Sequence, residues 1–252
     1  MKIVAIIQAR TGATRLPGKI FLPLGGKPVI RWVIDRIKKC NEINDILLAT
    51  TTNEGDDALE DLCVKSDIAF FRGSEDDVLG RYYFAAKSIG LDENDIVVRI
   101  TGDCPLIDPK LCDDIVSSLI NGDADYASNI VTCTFPDGLD CEAMKFSALE
   151  KSWREAELKY EREHVTQYIL RHPEIFKVKN YFYPVDLSYM RWTLDEPRDY
   201  EFIKTVIDGI GKDDFDMKDV LDFIEKNPRL LEINSSITRN EGLIKSIQEE
   251  NL

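Results

Sequence analysis

The chain begins with a continuous run of apolar residues that ends abruptly at a loop rich in cations. Residues 3–7 are Ile-Val-Ala-Ile-Ile, with no polar break, a pattern typical of a strand buried on both faces of a parallel sheet. Residues 8–19 then contain three arginine or lysine residues together with two glycines and a proline, so neither strand nor helix is expected to continue there. The pattern predicts a buried first strand and a tight loop at its carboxyl end, which is where open α/β sheets bind ligands.

Beyond this loop, two kinds of apolar pattern alternate. Short apolar runs typical of buried strands lie at residues 46–52, 68–71 and 95–100. Apolar residues at helical spacing cover 29–40, a segment from Asp56 or Asp57 to 65, and a segment from Asp76 or Asp77 to at least 86. Such alternation predicts an α/β fold with a doubly wound, mostly parallel sheet.

The second half of the chain is less regular. We expect helices over 109–121, 147–159, 161–171, 197–208, 216–226 and 239–250, and strands over 125–128, over 176–183 and ending at Leu194, with 132–138 as a loop. Since no internal repeat, low-complexity tract or linker is evident, we expect one domain over residues 1–252.

Charge is distributed unevenly along the chain. The sequence has 46 acidic residues against 32 lysines and arginines, a net charge of −14, yet residues 1–34 contain no acidic residue, where an even spread would place about six. This favours an anion-binding loop over the alternative, a basic surface loop that simply follows a strand. The net negative charge argues against nucleic acid as a partner.

Composition places the chain in a broad class. Hydrophobic residues make up 44%, as in ordinary globular proteins, and no apolar run approaches the length of a membrane span. The first apolar segment ends too early for a signal peptide, so we expect a cytoplasmic protein with no membrane partner. Six scattered cysteines contain no C-x-x-C pair, which favours reduced thiols over a zinc or redox site.

Two well-known phosphate-binding motifs do not fit the loop at residues 8–19. Five residues separate Gly12 from Gly18-Lys19, where a P-loop has four, and Ile20 follows instead of serine or threonine. The dinucleotide fingerprint G-x-G-x-x-G is also absent. The three cations nevertheless suit several phosphate oxygens.

Two aspartates follow predicted strands and are candidate metal ligands. Asp103 comes directly after the strand at 95–100, and Asp195 follows the strand that ends at Leu194. A carboxylate beside polyphosphate usually indicates a divalent cation, and magnesium takes one or two carboxylates plus phosphate oxygens. The alternatives are that Asp103 caps the turn before the helix at Pro109 and that Asp195 is the N-cap of the helix at Pro197.

Several separated motifs together resemble one enzyme family. Gln8-Ala-Arg…Thr-Arg-Leu-Pro-Gly-Lys19, Gly102-Asp-Cys-Pro-Leu106 and Leu194-Asp-Glu-Pro-Arg-Asp199 resemble motifs of the sugar-acid cytidylyltransferases, which include the CMP-ketodeoxyoctonate and CMP-sialate synthetases. Glu163-His-Val-Thr-Gln-Tyr168 is most similar to the spore-coat polysaccharide (SpsF-like) branch. Cys104 stands where the ketodeoxyoctonate branch usually has glutamate, which leaves the sugar open.

The resemblance implies a fold and a set of site residues. The fold would be the Rossmann-like one of the nucleotide-diphospho-sugar transferases, with a sugar-side and dimerisation insertion around 130–190. Arg10, Arg15 and Lys19 would be catalytic and Mg²⁺ would bind to Asp103 and Asp195, while Asp199 would be structural. Nucleotide contacts would be Gln8, Ala9, Arg10, Thr14, Arg15, Lys19, Ser74, Arg81, Gly102 and Asp103. Sugar contacts would be His164, Arg162, Asp140 and Glu142, with Asp137 and Arg171 as further candidates.

The function implied is transfer of CMP from CTP to a sugar, most typically a sugar acid, with release of pyrophosphate, in surface polysaccharide biosynthesis by a homodimer. From the residues alone, Arg81 is equally compatible with an exposed helix arginine and His164 with a structural histidine on an amphipathic helix. Two other functions remain: a glycosyltransferase of the related fold, although Asp103 lacks the second aspartate of an Asp-x-Asp pair, and a non-catalytic nucleotide-sugar sensor.

Overall fold

The protein is described here by a computed structural model over residues 1–250. Its strands are β1 (Ile3–Gln8), β2 (Pro23–Leu24), β3 (Lys27–Pro28), β4 (Asp45–Thr51), β5 (Ala69–Gly73), β6 (Ile96–Thr101), β7 (Tyr126–Ser128), β8 (Glu142–Lys145) and β9 (Val178–Asn180). Its α-helices are α1 (Val29–Ile37), α2 (Asp57–Lys65), α3 (Val78–Ser88), α4 (Pro109–Asn121), α5 (Phe146–Glu155), α6 (Lys159–Glu163), α7 (Gln167–Arg171), α8 (Pro197–Ile210), α9 (Met217–Lys226) and α10 (Glu241–Glu250).

Seven of the strands form one mixed sheet. Their order is β5-β4-β1-β6-β8-β7-β9, and β2 and β3 form a separate two-stranded hairpin. The β5-β4, β4-β1, β1-β6 and β7-β9 pairs are parallel, whereas β8 runs antiparallel to both β6 and β7. The predicted doubly wound, mostly parallel sheet is confirmed, and β1 lies in its interior, between β4 and β6.

Apolar residues cover both faces of the sheet. Along β1, Ile3, Ala5 and Ile7 face one core and Val4 and Ile6 face the other, as the alternation of side chains along a strand requires. The first core is formed with α1, α2, α4, α8 and α9, and the second with α3, α5 and α7. Burial on both faces explains why residues 3–7 of β1 are all apolar.

The structure corrects four details of the sequence prediction. The segment 142–145, where no strand was predicted, is strand β8. No strand ends at Leu194, although an isolated bridge joins Asp137 to Arg191 shortly before it. The strand predicted over 176–183 is confined to 178–180. The helix predicted over 161–171 is divided into α6 and α7, because Val165 between them has φ of 57°, which no α-helix contains.

Within residues 1–250, no helix has both the length and the apolar character needed to cross a lipid bilayer.

Candidate active site

The loop that follows β1 is held in shape by contacts at its middle and its end. The backbone N–H and the hydroxyl of Thr11 each donate to Oδ1 of Asp56 at 2.7 Å, and Gly18 N–H donates to the carbonyl of Thr11 at 2.9 Å. Gly18 has φ of 69°, a conformation that glycine adopts without strain. Burial acts to raise the pKa of Asp56, but hydrogen bonds from Thr51 and Thr11 hold it below its usual value, so Asp56 remains a charged anchor for the loop.

Lys19, at the end of this loop, lies between the two candidate metal ligands. Its Nζ donates to Oδ2 of Asp103 at 2.6 Å, to Oδ1 of Asp195 at 2.8 Å and to the carbonyl of Leu194 at 2.8 Å. Burial alone would lower the pKa of Lys19, but the two carboxylates raise it to about 12. Burial acts to raise the pKa of Asp195, and Lys19 and Arg15 hold it below its usual value. The three side chains therefore form a charged cluster.

The other two loop cations also contact carboxylates. Arg10 Nη1 lies 2.7 Å from Oε1 of Glu75. Arg15 contacts Oδ2 of Asp195 at 3.2 Å through Nη2, and Oε2 of Glu241 at 2.7 Å through Nη1. Both arginine side chains are more than a third exposed, so phosphate oxygens can reach them. The cationic loop and the two aspartates, separated by more than 80 residues in the chain, thus lie at one edge of the sheet.

Neither aspartate is the N-cap of the helix that follows it, so the alternative that Asp195 caps the helix at Pro197 is wrong. The N-cap of α4 is Asp108, whose Oδ1 accepts from Leu111 N–H at 3.0 Å. The N-cap of α8 is Glu196, whose N–H donates to Asp199 at 3.0 Å. Asp103 and Asp195 direct their carboxylates to Lys19 instead.

The two carboxylates fit a magnesium ion that completes its coordination with phosphate and water. Oδ2 of Asp103 and Oδ1 of Asp195 lie within 2.8 Å of the same nitrogen atom, so they border one common point. Among residues 1–250, no group of three or more histidine, cysteine, aspartate or glutamate side chains is arranged to hold a metal ion by itself. Because magnesium commonly takes one or two carboxylates plus substrate phosphates, this donor set suits magnesium bound together with a polyphosphate.

A cavity of about 690 Å³ lies beside the cluster and contains most of the predicted nucleotide contacts. Its lining includes Gln8, Ala9, Arg10, Thr14, Arg15, Lys19, Arg81, Gly102 and Asp103. Ser74 is outside this lining, because its hydroxyl accepts from Asp77 N–H at 3.0 Å at the start of α3. The volume of this cavity and the cationic side chains along one side of it suit a nucleoside triphosphate.

Arg81 and Gln8 each leave a buried polar atom without a partner in this cavity. Arg81 is 3% exposed, which makes its interpretation as an exposed helix arginine wrong, and burial lowers its pKa. Its Nε and the Oε1 of Gln8 have no hydrogen-bond partner. Such atoms are rare in folded proteins, so both are candidate contacts for a ligand.

Gly102 is required by the packing of the sheet and not only by a ligand. Its N–H donates to the carbonyl of Gln8 at 2.8 Å. A Cβ at this position would lie 2.9 Å from Gln8 O, Ala9 Cβ and Ile30 Cδ1. A side chain would therefore push apart the carboxyl ends of β1 and β6, where the candidate site is built.

A second cavity, of about 670 Å³, adjoins the first and contains most of the predicted sugar contacts. His164, Asp140, Glu142 and Asp137 line it. Arg162 does not, because its Nε donates to Oδ1 of Asp77 at 2.9 Å and its Nη1 donates to the carbonyl of Trp153 at 2.7 Å. Arg171 is likewise outside, in an ion pair with Glu161. The structure therefore brings His164, Asp140 and Glu142 together and leaves Arg162 and Arg171 elsewhere.

Arg99 on β6 is a further candidate site residue, which the sequence alone did not single out. It borders both cavities, as do Thr101 and Asp103 further along the same stretch. Arg99 forms an ion pair with buried Glu142, whose Oε2 accepts from Tyr126 OH at 2.6 Å. Burial acts to lower the pKa of Arg99, and Glu142 raises it above its ordinary value, while its Nε has no partner. A lone cation inside the apolar run 95–100 was the available signal.

A buried ionic network supports the segment that carries Asp195. Asp199 is fully buried, and its Oδ1 accepts from Arg191 Nε and Asn234 Nδ2, each at 3.0 Å. Its Oδ2 accepts from the N–H groups of Asp195 and Glu196, each at 3.0 Å. Asp199 thus neutralises a buried guanidinium and fixes the backbone of Asp195, in line with the structural role that the resemblance implies.

We expect Asp199→Ala to lower the free energy of unfolding by about 3–5 kcal/mol, since removal of one partner leaves a buried charge uncompensated. Urea denaturation would measure this loss. Asp208→Ala on the same helix removes an exposed pair with Lys204 and should change stability by less than about 1 kcal/mol. If both variants lowered the free energy of unfolding by similarly small amounts, a supporting role for Asp199 would be contradicted.

Comparisons with known proteins agree on one family. The cytidylyltransferase family profile matches residues 4–237. The chain is 40% identical to an uncharacterized protein of Methanocaldococcus jannaschii, over 94% of this chain and 96% of the relative. It is 32% identical to the spore coat polysaccharide biosynthesis protein SpsF of Bacillus subtilis, over 90% and 95%. A solved cytidylyltransferase structure from Leptospira borgpetersenii superposes with a TM-score of 0.87 at 37% identity, over 94% of this chain and 98% of the other.

Proposed function

We propose that this chain, which belongs to the cytidylyltransferase family, transfers CMP from CTP to a hydroxyl group of a sugar and releases pyrophosphate. Membership of the family makes the chain a CTP-dependent nucleotidyltransferase. The sugar acceptor, the roles of individual residues and a place in polysaccharide biosynthesis are the proposed parts. The similarity to SpsF, a spore coat polysaccharide biosynthesis protein, supports the last of these.

One observation supports the proposal most strongly: Lys19 Nζ lies within 2.8 Å of both Asp103 and Asp195, beside a cavity of triphosphate size. Arg10, Arg15 and Lys19 would bind the triphosphate and offset the charge that builds on the leaving pyrophosphate. Asp103 and Asp195 would hold Mg²⁺, which supplies Lewis-acid charge next to the phosphates when bound. The residues that border both cavities, Arg99, Thr101 and Asp103 among them, would position the sugar hydroxyl for in-line attack on the α-phosphorus.

We propose further that the acceptor is a sugar acid whose carboxylate contacts Arg99. In a 2-keto sugar acid the carboxylate is bonded to the carbon that carries the reacting hydroxyl, so both groups must lie where the two cavities meet. Arg99 borders both cavities and has an unpartnered Nε. Arg191, which also borders the second cavity, already contacts Asp137, Asp195 and Asp199. A guanidinium fork suits a planar carboxylate.

A pyrophosphate-release screen would test this function. Each of the four ribonucleoside triphosphates is paired with a panel of neutral sugars, amino sugars and 2-keto sugar acids. The proposal predicts release only with CTP, magnesium and a 2-keto sugar acid. Release of free nucleotide from a nucleotide-sugar would indicate a glycosyltransferase instead, and CTP binding without turnover on any acceptor would indicate a sensor.

We also propose that the chain forms a homodimer through the segment around residues 130–190. Five large apolar side chains are exposed there, and four of them lie on two stretches of the chain: Val131, Phe182, Val185 and Tyr189. The two stretches that carry them adjoin, since Tyr183 N–H donates to Thr134 Oγ1 at 2.8 Å, and β9 beside them is an edge of the sheet. Exposed apolar patches and open edges mark interaction surfaces, and a second copy is the partner that the resemblance implies.

For this surface, we expect Phe182→Glu to weaken dimerisation by at least about tenfold, because it places a charge in an apolar interface. Light scattering over a concentration series would measure the association constant. Val64→Glu, at a similarly exposed position on α2, serves as the matched control and should leave the dimer intact. A monomeric wild-type chain, or equal association of both variants, would contradict the proposed interface.

A further inference from the structure

The helix α10 lies across the candidate active site although none of its residues is buried. Glu241 and Gly242, at its amino end, border both cavities, and Ser246 borders the nucleotide cavity. The helix therefore forms an outer wall of the place where nucleotide and acceptor would meet. It does so without contributing a buried apolar side chain to either core.

A small number of polar contacts hold α10 in this position. Ser246 Oγ donates to Glu163 Oε2 at 3.0 Å and lies 3.1 Å from Nε2 of His164. Tyr160 N–H donates to Glu250 Oε2 at 3.1 Å. The shortest contact is the ion pair between Glu241 and Arg15, at 2.7 Å. Partly exposed contacts of this kind contribute little each, so the displacement of α10 requires little free energy compared with unfolding.

The contact with Arg15 conflicts with nucleotide binding. Arg15 uses Nη1 for Glu241 and Nη2 for Asp195, and it contacts Glu196 at 3.4 Å as well. Three carboxylates thus occupy a guanidinium that we have assigned to the triphosphate. Because Glu241 lies 2.7 Å from Nη1, a phosphate oxygen that approaches Nη1 competes with Glu241 for Arg15. A carboxylate held close to a bound triphosphate would also repel it.

We propose that α10 is a displaceable strap: Glu241 holds the helix on Arg15 in the nucleotide-free enzyme, and the triphosphate takes the place of Glu241 and releases the helix. This rests on the proposed role of Arg15 in triphosphate binding. Since the two binding events are linked, the factor by which bound triphosphate weakens the docking of α10 is also the factor by which docked α10 weakens triphosphate binding. A variant in which α10 is docked less often should therefore bind the nucleotide more tightly. Release of α10 would also open the wall of the second cavity, so the nucleotide would prepare the site for the acceptor.

Two measurements on Glu241→Gln test the strap. Without ligand, amide hydrogen exchange over residues 241–250 should be faster in the variant than in the wild type, because the ion pair that holds the helix is gone. In calorimetry, the variant should bind CTP at least about fivefold more tightly, the lower end of common coupling factors. Glu249→Gln removes the same charge from the same helix, at a position that also borders the nucleotide cavity but pairs with Lys245 and not with Arg15. It therefore reports the effect of losing a negative charge at this wall without the loss of the Arg15 contact.

The outcomes separate the strap from the proposed function. In the wild type, CTP should speed exchange over residues 241–250. Slower exchange with CTP would mean that the helix closes on the nucleotide and would overturn the strap, as would equal CTP affinity of the Glu241→Gln and Glu249→Gln variants. If CTP does not bind at all, inorganic tripolyphosphate replaces it as the probe. Faster exchange over residues 241–250 with tripolyphosphate would then support the strap and reject CTP as the nucleotide. Unchanged exchange with tripolyphosphate would reject both the strap and the proposed function.

Discussion

Lys19→Ala is expected to lower kcat for pyrophosphate release from CTP by about a hundredfold or more, the loss typical of one preorganised electrostatic contact. In the structure Lys19 is 8% exposed and lies between Asp103 and Asp195. With CTP bound, its ammonium would lie against the triphosphate and offset charge on the leaving group. Steady-state kinetics at saturating CTP and magnesium would measure the effect.

A second readout separates this role from simple damage to the fold. Because Lys19 occupies the point between the two carboxylates, its removal should let the variant bind Mg²⁺ without nucleotide more tightly than the wild type does. Lys27→Ala, which removes a lysine paired with Asp35 and Asp213 away from the site, should retain activity and metal affinity. Near-normal turnover by Lys19→Ala would rule out the proposed role.

Asp103→Asn is expected to abolish detectable magnesium-dependent turnover. An amide keeps the shape of the side chain but removes the charge that attracts a divalent ion. Asp195→Asn should have the same effect, because the two carboxylates border one point. Turnover measured against magnesium concentration, alongside CTP affinity in the presence of a chelator, would separate loss of metal binding from loss of nucleotide binding.

The expected pattern for these aspartate variants is specific. The affinity for CTP measured in the presence of a chelator should be unchanged or slightly higher than in the wild type, since a negative charge beside the phosphates is gone. Asp208→Asn on the exposed face of α8 should behave as wild type in both assays. A magnesium titration of Asp103→Asn that matches the wild type would exclude this carboxylate as a ligand.

The central sheet and much of the candidate site were predictable because they follow from local patterns. The apolar run of β1 and the break at the cationic loop place ligand contacts at the carboxyl end of a central strand. Asp103 was identified because it directly follows β6. What local pattern could not give was the salt bridge from Lys19 to Asp195, since it joins residues 176 positions apart.

Other features were hidden for identifiable reasons. Strand β8 contains charged Glu142 and Lys145 in only four residues, so it lacked an apolar run. The amphipathic pattern over 161–171 does not report the positive φ of Val165 that divides the helix. Arg162 was assigned to the sugar because a motif places it near His164, whereas its partner, Asp77, lies 85 residues away. The strap position of α10 depends on a similar long-range pair, between Arg15 and Glu241.

A crystal structure of the chain with CTP and magnesium, and without acceptor, would show whether Lys19, Asp103 and Asp195 form one nucleotide site. We expect one metal ion that contacts both Asp103 and Asp195, with the triphosphate against Arg10, Arg15 and Lys19 and with Glu241 removed from Arg15. A triphosphate bound elsewhere, or a metal ion that contacts neither aspartate, would contradict it.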